Sequence, residues 1–91
     1  MTDALPSVPP DVLLSHALWL RGLARQLVHD EPSADDVVQD TWVAALEHPP
    51  AEPESARAWL ARVARRFASR ERRRVGARSQ REERAAREER L

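Results

Sequence analysis

Residues 55–68 read Ser55-Ala56-Arg57-Ala58-Trp59-Leu60-Ala61-Arg62-Val63-Ala64-Arg65-Arg66-Phe67-Ala68. Trp59, Leu60, Val63, Ala64, Phe67 and Ala68 recur at intervals of three and four, the spacing that puts side chains on one face of an α-helix. Arg57, Arg62, Arg65 and Arg66, followed by Arg70, Arg72, Arg73 and Arg74, occupy its other faces. Such a helix has an apolar stripe that must be covered, so it needs other helices to pack against.

Two such partners lie upstream. His48 to Glu54 contains Pro49, Pro50 and Pro53 and no long apolar run, which makes it a stiff loop. Before it, a helix is predicted from Ser33 to about Glu47, with Ser33 as its cap and Asp36 at the third position as a variant of the capping box. It buries Val37 or Val38, Thr41, Trp42, Ala45 and, in part, Leu46. An earlier helix, capped by Asp11 and ended before Pro32, puts Leu13, Ala17, Leu20, Ala24 and Leu27 on one face, with Leu14, Leu18 and Val28 beside it. Trp19, Trp42 and Trp59 belong to the core or its edge.

Met1 to Pro10 reads as a flexible lead-in. Gly76 marks an interruption of the last helix, and Arg78 to Arg90 is a charged, alanine-rich tail with Arg78 and Glu82, and Arg84 and Glu88, at the spacing of i,i+4 pairs. Lacking an apolar stripe, this tail is expected to be helical on a partner and frayed alone. The expected fold is all-α. A compact three-helix domain spans 11–75, between the lead-in at 1–10 and a tail or linker at 76–91.

Charge divides the chain as sharply as hydropathy does. Ten acids and two arginines precede Ser55, and thirteen arginines and five glutamates follow it, a net of minus eight against plus eight. Lysine is absent, so every cationic contact is a guanidinium, a planar fork of donors that suits phosphates, base edges and carboxylates and stacks on rings. Eight arginines against Glu71 alone between Arg57 and Arg74 repel one another and point to a polyanion. On the preceding helix, Asp36, Gln39 and Asp40 share a face that a basic partner helix can meet at once, with Asp35 nearby.

Other chemistries find little support. His16, His29 and His48 lie in different elements without metal-ligand spacing, and only Gly22 and Gly76 are available for a phosphate cradle. No nucleophile–base pair is indicated. The reading is therefore a non-enzyme without metal or cofactor. Cysteine is absent, the apolar runs are too short to span a membrane, and the acidic, proline-interrupted N-terminus is no signal peptide, which together suit a cytoplasmic protein.

The string Ala34-Asp35-Asp36-Val37-Val38-Gln39-Asp40-Thr41-Trp42, followed after the loop by Arg57-Ala58-Trp59-Leu60-Ala61-Arg62-Val63-Ala64-Arg65-Arg66, resembles region 2 of bacterial sigma factors of the extracytoplasmic-function type. Leu23-Ala24-Arg25-Gln26-Leu27-Val28 resembles the first part of that region, so the likeness runs from Asp11 to Arg74. It implies a helical domain that binds the clamp helices of the RNA polymerase beta-prime subunit and recognises the minus-10 promoter element by capturing a base of the non-template strand. By resemblance, Asp35, Asp36, Gln39 and Asp40 face the polymerase. The loop from His48 to Glu54, with Arg57, Trp59, Arg62, Arg65, Arg66 and Arg70, faces the promoter. The resemblance also admits an anti-sigma partner.

The pattern has departures. Arg66 stands where the family commonly has asparagine, Arg70 where it often has aspartate, and Asp40 where glutamate is commoner. An arginine cannot supply an amide's paired donor and acceptor to a base edge. The helix-turn-helix region 4 is not contained in these residues. Two other readings share the charge pattern: a general nucleic-acid-binding helical protein and a protein-interaction regulatory module.

Overall fold

The computed structural model describes residues 8–90. Its elements are α1 (Pro10–Leu14), α2 (Ala17–Leu27), α3 (Glu31–Glu47), a 3-10 turn at Pro53–Ser55, and α4 (Ala56–Arg90). The fold is an all-α bundle in which α2, α3 and the first half of α4 pack on one another, as expected.

Each boundary has a local cause. The first predicted helix is broken in two: the Ser15 hydroxyl donates to the Val12 carbonyl, and His16 adopts φ −97° and ψ 9°, outside the helical well. The cap of α3 is Asp30 rather than Ser33. Its Oδ1 accepts from the Ser33 backbone N–H at 2.8 Å, and its Oδ2 accepts from the Ser33 hydroxyl at 3.1 Å. Pro32 falls in the first turn, where its missing N–H has no helical acceptor to lose, so it helps start α3 instead of ending α2. Arg72 donates to the Leu27 carbonyl at 2.6 Å and thereby closes the C-terminus of α2.

Two apolar clusters form the core. Leu20, Ala24, Val28, Ala34, Val37, Ala64 and Ala68 make the first, and Val8, Leu13, Ala45, Ala56 and Leu60 the second. Half-buried Trp19 and Trp42 pack against both and join them, while Trp59 packs against the second. Small residues at 24, 34, 45, 56, 64 and 68 let the helices approach closely. Buried Thr41 satisfies its hydroxyl on the Val37 carbonyl at 2.7 Å.

Further expectations need correcting. Val8, assigned to the lead-in, is 2% exposed and its N–H donates to the Pro50 carbonyl at 3.0 Å, so the segment before α1 pins the loop after α3. The remaining lead-in, residues 1–7, lies outside the described residues. Leu46, Leu14 and Leu18 are exposed rather than packed. Gly76 does not interrupt α4, which runs unbroken to Arg90. Among the described residues neither Arg78 and Glu82 nor Arg84 and Glu88 form an ion pair.

Candidate functional site

Helices α3 and α4 run antiparallel and leave a groove with two chemically distinct ends. At one end Asp36 and Asp40 of α3 face Phe67, Arg70 and Arg74 of α4 across a cleft of about 260 Å³. At the other, Ala44 and His48 face Trp59, Arg62, Arg66 and Phe67 across a cleft of about 220 Å³. Phe67 lines both. The groove thus changes from mixed charge to aromatic and purely cationic within a few helical turns.

Four acidic-helix positions were singled out by sequence, and they have different surroundings. Asp35 is turned toward α2, where its Oδ1 accepts from Arg21 at 2.6 Å. Asp36 is shared with Arg74, whose Nη2 lies 3.4 Å from its Oδ2. Gln39 and Asp40 are exposed, and among the described residues Asp40 has no ion pair. Val43 and Leu46 extend the same stripe and are 48% and 68% exposed. Leu46 also meets Leu14 over a shallow apolar hollow floored by Trp42 and Ala45. Periodicity alone places Leu46 partly in the core. Reading the stripe of Asp36, Gln39 and Asp40 onward by one and two turns would have placed both residues on the outer face.

Of the six residues expected to face the promoter, the cleft brings together Trp59, Arg62 and Arg66. These positions, at i, i+3 and i+7, lie on one side of α4. Arg65 is exposed on a neighbouring face. Arg70 lies at the opposite end of the groove with the aspartates. Arg57 lies over the Trp19 ring of α2, its guanidinium carbon 4.8 Å from the centroid. From the loop, only His48 lines the cleft.

A second electrostatic knot holds the start of α3 to α4. Glu71 is 8% exposed. Arg74 donates to both its oxygens, at 2.7 and 3.1 Å, and against the opposing effect of burial holds its carboxyl below the ordinary carboxylate range. The cap bonds from the Ser33 N–H and hydroxyl do the same for Asp30. Glu71 in turn holds the Arg74 guanidinium protonated.

Among the described residues no cluster of His, Asp and Glu could hold a metal ion, and no helix is long and apolar enough to cross a membrane. Compared with known families, residues 12–78 match the family described as Sigma-70 region 2. No curated protein and no solved structure matches the chain.

Proposed function

This chain belongs to the Sigma-70 region 2 family of non-catalytic transcription domains, and we propose that it couples RNA polymerase to opened promoter DNA. The outer face of α3, carrying Asp36, Gln39 and Asp40 with Val43 and Leu46 beyond them, docks on the clamp helices of the beta-prime subunit. The aromatic, cationic end of the α3–α4 groove takes the non-template strand of the minus-10 element. Its place of action is the cytoplasm, where polymerase meets DNA.

The observation that supports this most is the convergence of Trp59, Arg62, Arg66, Phe67 and His48 on one cleft. Guanidinium groups next to flat rings suit a single strand, whose phosphates bind the cations and whose unstacked bases lie on the rings. Charge alone would favour duplex DNA, with its denser phosphates, and would be indifferent to sequence. Base capture carries an unstacking cost of a few kcal/mol that falls once the strands are apart, which explains a preference for the opened state.

The test is equilibrium binding at about 0.15 M salt, near physiological ionic strength, with a beta-prime clamp fragment present. A selection from randomised single strands should enrich a defined sequence, and an abasic substitution at its most constrained position should erase most of the advantage. No enrichment, together with duplex binding as tight as single strand, would leave only non-specific attraction by arginine.

A further inference from the structure

We infer that the cleft between α3 and α4 selects guanine, and that Arg66, with Arg62, is the side chain that reads it. This rests on the single-strand reading above and adds the identity of the base.

The inference comes from what the cleft can donate and accept. Arg62 and Arg66 bring planar forks of N–H donors, and Trp59 adds an indole N–H. Ala44, Val63 and Phe67 have no polar side-chain atom. The α4 carbonyls here are engaged in the helix, and the Ala44 carbonyl already accepts the His48 N–H at 2.8 Å. No carboxylate, amide or hydroxyl lines the cleft. One ring nitrogen of His48, in one tautomer, is the sole side-chain acceptor.

A site so rich in donors discriminates by penalty. On the edge turned to the arginines, adenine presents its N6 amino group and cytosine its N4 amino group, donors that find no acceptor among guanidinium groups, whereas guanine's own donors, N1–H and N2, lie on its other edge. Burying such an amino group unpaired costs the desolvation of that group. Guanine presents O6 and N7 side by side as two acceptors, which a single guanidinium meets with two parallel hydrogen bonds. Thymine offers one carbonyl on the corresponding edge and ranks second. Trp59 and Phe67 supply surfaces on which the larger purine ring gains more contact. Arg66 matters most because an amide there would offer an acceptor as well as donors and would suit adenine.

The experiment uses the whole chain and fluorescently labelled thymine-rich single strands that differ at one central position. The guanine strand should bind about fivefold or more tightly than the adenine strand, the lower end of what one bidentate pair contributes. Replacing guanine with 7-deazaguanine removes the N7 acceptor and should abolish most of the advantage. Inosine keeps O6 and N7 and should retain it. Arg66→Lys keeps the charge without the fork, so the guanine strand should lose severalfold in affinity while the adenine strand changes little, and the guanine preference falls. Equal binding of guanine and adenine strands, or a preference that survives 7-deazaguanine, overturns the guanine assignment. Should single strands still outcompete duplex in that case, the parent reading stands. If duplex competes equally and no base is preferred, both readings fall.

Discussion

Arg57 rests on the indole of Trp19, with 4.8 Å between guanidinium carbon and ring centroid, and His16 meets the same ring edge-on at 6.5 Å between centroids. The contact ties the first turn of α4 to α2, so an arginine that sequence assigned to DNA is engaged in architecture. Arg57→Ala should cost about 0.5–1 kcal/mol of stability, the range for a partly exposed cation over a ring. It should weaken single-strand binding no more than Arg65→Ala does, and less than Arg66→Ala. Denaturant unfolding and strand titrations of the three variants check both statements.

The outer face of α3 should be separable from the fold. Asp36→Lys combined with Asp40→Lys should weaken binding to a beta-prime clamp fragment by about tenfold or more, because attraction becomes repulsion at close range. Helical content by circular dichroism should match the parent. Leu46→Ser should also weaken this binding, yet shift stability by less than about 0.5 kcal/mol, as expected for an exposed site. Unchanged affinity at both low and moderate salt would remove α3 from the interface.

Trp59 has two duties, one wall of the cleft and one contact with the second core cluster. Complete burial would put Trp59→Ala at roughly 3–5 kcal/mol. For the half-buried ring seen here, about 2 kcal/mol is expected from the same scale. Thermal unfolding measures it, and a loss below about 1 kcal/mol would move the ring's weight from packing to DNA.

Acid should loosen the joint between α3 and α4. Glu71 and Asp30 both have carboxyl pKa values lowered by folding. A group of that kind contributes stability that is complete above its unfolded pKa and is lost as pH falls through its folded one. Stability should therefore be flat near neutrality and decline below about pH 4, where carboxylates begin to protonate. Glu71→Gln should lower stability by about 1.5 kcal/mol at pH 7, the lower end for a hydrogen bond to a charged group. It should also make the acid limb shallower. A variant with the parent's pH profile would show that Glu71 does not couple the two helices.

The apolar stripe of α4 was largely legible in the sequence: Leu60, Val63, Ala64 and Ala68 are buried on it, Trp59 and Phe67 are half-buried, and Ala56 and Ala61 are buried beside it. Leu46 shows where periodicity stops informing. A leucine on the boundary of a stripe is assigned to the core by default, and only the geometry of the neighbouring helices reveals that nothing covers it. Asp30 and Ser33 show the same ambiguity in capping. Both are good caps three residues apart, and the choice falls to Asp30 because Pro32 can sit in a first turn. The acidic and cationic faces were readable from spacing. Their partition along the groove, with Arg70 beside the aspartates and Arg57 over Trp19, depends on long-range packing that no local pattern encodes.

Gly76 sits inside the uninterrupted α4, and a methyl group built there would meet nothing within 4 Å. It therefore brings no packing in return for its helix propensity, about 1 kcal/mol poorer than alanine. Every residue from Gly76 to Ala85 is exposed, and beyond Ser79, which with Gly76 borders a hollow beside His29 and Asp30, the backbone ladder is what joins this stretch to the bundle. Unwinding that starts near Arg90 can advance to about Ser79, three residues past Gly76, without opening the hollow beside His29 and Asp30 or disturbing Phe67 and Arg66. The two halves of α4 are thus one element in shape and two in cooperativity, with separate opening equilibria on either side of a single glycine.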